Sequence, residues 1–163
     1  PDFMCIGKAF AAVLPMAATL CTKRVENAFR GGRERAFNYG HTFCGSPLGA
    51  ALAREVLRIY KDEAVLENVA RQSKTIEKAF ARIGAQRGVK TVRSLGMIGA
   101  ADLGTGGYEG ELGWKVYAEA RRRGAYLRPL GDTVYVCPPL IISDAELDEL
   151  MTIVSDSIEA IAP

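Results

Sequence analysis

The chain opens on an apolar run, FMCIGKAFAAVLPMAATL over residues 3–20, interrupted by one charge, Lys8. Its FMCIG segment reads as a short buried strand, followed by a loop and by MAATLCT as a second strand. RGGRERAFNYGHTFCG, residues 30–45, is rich in glycine and arginine and has no clean period, which predicts a functional loop. Helical spacing then begins. Ser46 is a good N-cap and Pro47 suits the first helical position. Leu48, Leu52, Val56, Ile59 and Tyr60 keep one face of that helix apolar. A second helix is predicted from about 63 to 83, with Leu66, Val69, Ile76, Phe80 and Ile83 on one face and Gly84 and Gly88 beyond it.

From there the pattern changes. KTVRSL and MIGAADL read as strands about Gly96, and GTGGYEG (104–110) as a loop. ELGWKVYAEARRRG reads as a helix ending at Gly124, its arginines placed near the C-terminus where cations are favoured. AYLRPLGDTVYVCPP predicts two short strands about a turn at Leu130-Gly131-Asp132, stopped by Pro138 and Pro139. Ser143 and Glu146 have the spacing of a capping box for a last helix to about 161. The second half is therefore an α+β unit, a small sheet with covering helices. The first half has no complete sheet of its own.

With 163 residues, 48% of them hydrophobic and 25% charged, the chain can build a core. A net charge of +2 gives no electrostatic footprint for nucleic acid, and no apolar run reaches the ~18 residues that span a bilayer. Cys5, Cys21, Cys44 and Cys137 form no C-x-x-C pair and sit in apolar surroundings. They read as reduced, buried thiols of a cytoplasmic protein rather than as disulfides or a metal site. No secretory signal is visible. Pro1 is not an initiator and Met4 lies inside the first apolar run, so the chain reads as a piece of something longer.

Two phosphate-loop patterns fail on inspection. GTGGYEG has Glu109 where a third glycine is needed, and Gly7-Lys8 lacks both the upstream glycine and a following Ser or Thr. Lys8 has two readings. It is a lysine that snorkels at a strand end, or a desolvated amine held neutral and able to attack a carbonyl. In FNYGHTFCGSP, Gly40 permits close backbone approach and Thr42 offers a hydroxyl and an N–H to a phosphate, while a plain turn into a capped helix is the alternative. His41, the only histidine, has no nucleophile or carboxylate at a recognisable spacing and reads as packed or hydrogen-bonded. Arg128 stands before a turn, where a guanidinium can meet a carboxylate or remain solvated.

Taken in order, these three segments resemble the C-terminal part of the class III, ornithine-type, pyridoxal-phosphate aminotransferases. The RPLGD turn followed by tyrosine is similar to the biotin-pathway branch. The likeness covers the whole chain. It implies an α/β fold: the end of a fold-type I large domain over 1–45 (lysine segment and phosphate loop), connecting helices over 46–84, and a small C-terminal α+β domain over 85–163. It implies pyridoxal 5'-phosphate as cofactor, with Lys8 as the catalytic Schiff-base lysine. Gly40 and Thr42 would touch the cofactor phosphate from the neighbouring subunit of a homodimer, Gly40 also bordering the substrate. Arg128 would pair with the carboxylate of the acceptor and Tyr135 would line the same pocket. The implied reaction moves an amino group from S-adenosylmethionine to 8-amino-7-oxononanoate.

The chain departs from this family in AFAAVLP, which has no glycine where a Thr-Gly-Gly-aromatic run is usual. The family's aspartate for the pyridinium nitrogen lies upstream of the lysine, ahead of Pro1, so the 163-residue chain by itself is expected to be inactive. Two rivals stand beside this reading: a class III transaminase for ornithine, GABA or another ω-amino acid, and a non-catalytic α+β module in which Lys8 and Arg128 are incidental.

Overall fold

Strand-forming residues at both ends of the first apolar run pair as a hairpin. In the computed structural model, which describes residues 1–10 and 13–162, β1 (Phe3–Ile6) runs antiparallel to β2 (Ala18–Cys21), setting Phe3 opposite Cys21 and Ile6 opposite Ala18. The strands are exposed along nearly their whole length, which corrects the expectation of burial. A two-stranded ribbon has two faces to cover, and of these strands only Ile6 and Ala18 are even half-buried among the described residues. A short helix unforeseen from sequence, α1 (Lys23–Ala28), follows; six residues are too few for a periodic signal. Glu26 accepts from both Lys23 and Arg30 along it, and Arg24 pairs with Asp2 at 2.6 Å.

The predicted capped helix forms as α2 (Pro47–Asp62), with Ser46 Oγ accepting from the Gly49 N–H at 3.3 Å. Its buried residues are small, Gly49 and Ala53. A side chain at Gly49 would meet Met16 Sδ at 3.1 Å, so the helix approaches its neighbour through the missing Cβ. Leu48, expected on the inner face, is 71% exposed, and Leu52, Val56, Ile59 and Tyr60 are half-buried. The four cysteines are free but all exposed, not buried.

The chain divides into two compact units, Pro1–Ala64 and Val65–Pro163. The division differs from the expected boundary after 84 because α3 (Val65–Ile83) is built into the second unit. It packs on β3 (Thr91–Leu95), on β4 (Ile98–Asp102) and on α5 (Asp144–Ile161). Ile76, Phe80 and Ile83 on its inner face are fully buried, each contributing about 1.5–3 kcal/mol on leaving water. With β5 (Thr133–Val136), the strands form an antiparallel sheet in the order β3-β4-β5. Gly99 pairs with Ser94 and Val136, and Ala101 with Val92 and Val134.

Val116 and Ala120 of α4 (Leu112–Arg122) and Leu147, Val154 and Ile158 of α5 close the core. The capping box at α5 is complete: Ser143 Oγ accepts from the Glu146 N–H at 3.3 Å, and Glu146 Oε2 accepts from the Ser143 N–H at 3.0 Å. One element differs. Residues 125–129 are expected to form a strand, but among the described residues the hairpin closes only at the bridge between Leu130 and Thr133. Ala125, Leu127 and Pro129 turn inward and are buried, so this arm is anchored by side chains in place of a ladder. Among the described residues, no helix is long and apolar enough to cross a membrane.

Gly99 is the tightest point of this packing. A Cβ there would fall under 3.0 Å from the Phe80 ring and from Ile76 Cγ2. Gly99→Ala is expected to destabilise the second unit by about 1–3 kcal/mol, the cost of overpacking. Denaturant unfolding of the whole chain measures it, and adding Phe80→Leu should make the alanine less harmful than it is alone.

Candidate active site

In the first unit, Lys8 follows β1 and opens a 3-10 turn, Lys8–Phe10, with φ +57°. Left-handed backbone costs a residue bearing a Cβ roughly 1–2 kcal/mol, and nothing in the sequence announces it. Such strain persists where the surroundings demand it and is enriched at functional positions. The side chain is exposed and, among the described residues, makes no hydrogen bond or ion pair. The expected desolvation is therefore absent: β1, which leads into the lysine, is itself exposed along nearly its whole length. The amine is free. The turn packs against α2, which brings the lysine segment and the helix after the glycine-rich loop together. The glycine-free AFAAVLP run includes residues 11 and 12, which lie outside the described residues.

Residues 37–45 form the loop that precedes α2. Gly40 is exposed, and a Cβ there would meet Cys44 Sγ at 3.6 Å, ordinary contact, so Gly40 is not there to relieve crowding in this chain. Thr42 lies in the turn with its side chain exposed. His41 is hydrogen-bonded, as expected. Its Nδ1 accepts from the Phe43 N–H at 3.2 Å, which leaves the ring proton on Nε2, and its carbonyl accepts from the Cys44 N–H at 2.9 Å. The loop exposes its aromatic residues, Phe37 at 68%, Tyr39 at 79% and Phe43 at 78%. A free lysine amine, an exposed threonine hydroxyl and a loop without carboxylates between 37 and 45 are a donor set compatible with an aldehyde cofactor bearing a phosphate.

The second unit holds Arg128 and Tyr135. Val134 and Val136 face the core, so Thr133 and Tyr135 occupy the opposite face of the sheet. Ala100 lies between Arg93 and Tyr135 across that face. Asp102, on the same face, accepts from Arg93 Nη1 at 2.5 Å and from Thr133 Oγ1 at 2.7 Å. Counting outward from the Leu130–Thr133 bridge, Arg128 is the position opposite Tyr135 on the same face, although no ladder bonds extend that far. Arg128 is exposed and has no carboxylate partner among the described residues, whereas Arg93 is already neutralised by Asp102.

Asp132, which sequence reading treated only as a turn residue, is 6% exposed. Its carboxylate accepts from the Gly106 N–H at 2.8 Å and from the Leu112 N–H at 3.0 Å, the second being the first residue of α4. GTGGYEG is thus the seat of this carboxylate and not a phosphate loop. A Cβ at Gly104, Gly106 or Gly110 would fall under 3.0 Å from the Asp132 carboxyl group. The available sequence signal was the run of glycines with no phosphate spacing, facing a turn that contains a lone acid.

Comparison with known proteins follows the same outline. A family model described as "Aminotransferase class-III" matches residues 1–158. The chain is 35% identical over 158 residues to an adenosylmethionine-8-amino-7-oxononanoate aminotransferase of Aquifex aeolicus, covering 91% of this chain and 35% of that protein. It is also 35% identical over 171 residues to the enzyme of the same name from Geobacter sulfurreducens, covering 99% and 38%. The crystal structure of the adenosylmethionine-8-amino-7-oxononanoate aminotransferase of Methanocaldococcus jannaschii superposes with a TM-score of 0.89 at 28% identity, over 100% of this chain and 40% of that one. The chain therefore spans little more than a third of the length of the relatives it matches.

The Arg93–Asp102–Thr133 row makes a pH-dependent contribution. The Arg93 guanidinium, with desolvation opposing and the Thr133 hydroxyl assisting, holds the Asp102 carboxyl below its ordinary range. A carboxyl lowered in the folded state stabilises above its unfolded pKa, about 3.9, and that stabilisation is lost as pH falls through the lower folded value. The stability difference between the native chain and Arg93→Ala should be present at neutral pH and shrink below about pH 4. Carboxyl titration by NMR should show the Asp102 midpoint rising in the variant.

Proposed function

Because the chain belongs to the class-III aminotransferases, which depend on pyridoxal 5'-phosphate, we propose that the protein carrying it moves an amino group from S-adenosylmethionine to 8-amino-7-oxononanoate. The observation that carries this reading is Arg128: an exposed guanidinium with no carboxylate partner among the described residues, set opposite Tyr135 on the RPLGD turn. Several relatives bear the name of that reaction, and their likeness supports the choice of substrates.

When bound, the cofactor supplies a carbonyl and an electron-withdrawing ring that stabilises negative charge on the substrate carbon. Lys8 Nζ is the nucleophile that anchors it, and the same amine carries a proton to and from the carbon that gains or loses the amino group. Thr42, through its hydroxyl and N–H, holds the phosphate, and Gly40 lets backbone come close to it and to the substrate. Arg128 forks onto the acceptor carboxylate and Tyr135 lines that pocket. Gly40 and Thr42 serve the site of a second subunit in a homodimer. The exposed aromatic residues Phe37, Tyr39 and Phe43 support this, since a partner surface would cover them. The free, unpaired cysteines fit a cytoplasmic protein.

A relative named gamma aminobutyrate transaminase 1, from Solanum lycopersicum, is 28% identical over 163 residues, so an ω-amino acid transaminase is the second reading. Treatment of the intact protein with pyridoxal phosphate and borohydride, followed by peptide mapping, should place the pyridoxyl group on Lys8. Labelling of another lysine instead sinks both transaminase readings. Arg128→Ala should raise the acceptor KM roughly ten- to a hundredfold, the worth of a charge-assisted hydrogen bond, while the half-reaction with the amino donor changes little. Turnover of ornithine or GABA with none of 8-amino-7-oxononanoate would give the case to the second reading.

A further inference from the structure

We propose that Asp132 is a positioning residue for acceptor recognition: it fixes the turn that presents Arg128. The inference rests on the assignment of Arg128 to the acceptor carboxylate. Among the described residues the segment before the turn has no ladder to hold it, the only bridge being Leu130 with Thr133, bonded in both directions at 2.9 Å. What fixes the segment lies beneath it. Leu127 is in the core, and Pro129 sits so close to α4 that a Cβ at Gly113 would come within 2.9 Å of it. Asp132 supplies the polar part of the anchor.

Every polar group of Asp132 is used. The carboxylate takes the Gly106 and Leu112 N–H groups, its own N–H donates to the Gly107 carbonyl at 2.9 Å, and its carbonyl accepts from the Leu103 N–H at 3.0 Å. Next to it, the Gly131 carbonyl accepts from the Gly113 N–H at 3.1 Å. The turn therefore caps α4 from outside the helix, in place of Glu111, whose side chain makes no capping bond. A carboxylate also suits the positive end of a helix. Gly131 has φ +57°, and a Cβ on it would strike the Gly107 carbonyl and Tyr108, so turn and loop are in backbone contact. Without the buried carboxylate, the N–H groups of Gly106 and of the half-buried Leu112 lose their acceptor and the floor under Arg128 loosens. Asparagine retains an acceptor for one of them and turns an amide N–H₂ toward the other.

The test compares Asp132→Ala, Asp132→Asn, Arg128→Ala and the double variant Asp132→Ala/Arg128→Ala in the intact, cofactor-loaded protein. Hydrogen exchange should quicken over residues 104–112 and 127–133 in Asp132→Ala, with the core residues of α3 and α5 unchanged. The acceptor KM should rise at least fivefold, the donor half-reaction should stay within twofold of normal, and Asp132→Asn should fall between. The double variant should show no higher acceptor KM than Arg128→Ala alone, because the effect of Asp132 passes through Arg128. Should Asp132→Ala fail to fold, Asp132→Asn with and without Arg128→Ala decides the matter. Additive effects, or loosened exchange with an unchanged acceptor KM, overturn the proposal while leaving the Arg128 assignment in place. An acceptor KM unmoved by Arg128→Ala overturns that assignment, and the positioning role with it.

Discussion

A carboxylate taken out of water must find donors, and the donors it finds become fixed points of the structure. Asp132 has two, at Gly106 and at the first residue of α4. Between them they determine where the glycine loop folds back, where α4 begins and how β5 enters the sheet. The three glycines at 104, 106 and 110 follow from the same carboxylate, because its oxygens occupy the space their side chains would need. The glycine loop, α4, β5 and the arm that leads into it are in this way referred to one small group. The exposed Arg128 belongs to the least regular of them and has the most to gain from a stiff foundation.

Much of the second unit was legible beforehand because its signals are local. A capping box needs only Ser143 and Glu146, a hairpin only two alternating runs about Gly96, and both formed. The arm at 125–129 misled because Tyr126, Leu127 and Arg128 have the alternation of a strand, yet Ala125, Leu127 and Pro129 are held by the core without a paired neighbour. Alternation reports which side chains point inward; it does not report hydrogen bonds. Asp132 was illegible for a related reason. Its donors lie 20 and 26 residues away, and no short-range pattern records a partner at that distance.

The first unit shows the opposite weakness. Lys8, Gly40 and Thr42 were picked out as chemistry, but the environment inferred for Lys8 from its apolar neighbours was not found. Neighbours in sequence along a strand alternate between faces and say little about what lies over either one. The left-handed backbone of Lys8 is a sharper feature than its hydrophobic context, since only the folded chain reveals it. Leu48 gives the same lesson on a helix: the face of α2 that packs was chosen by Gly49 and Ala53, the residues that permit close approach.

The order β3-β4-β5 leaves the sheet with two open borders, and open borders invite other chains to add strands. Each border is guarded differently. β3 has five residues and directly follows Lys90, so a strand approaching that end meets a positive charge. β5 has four residues and is followed, after Cys137, by Pro138 and Pro139, whose missing N–H groups keep a ladder from extending past it. The proline pair thus keeps a short, apolar strand from acting as a template for aggregation.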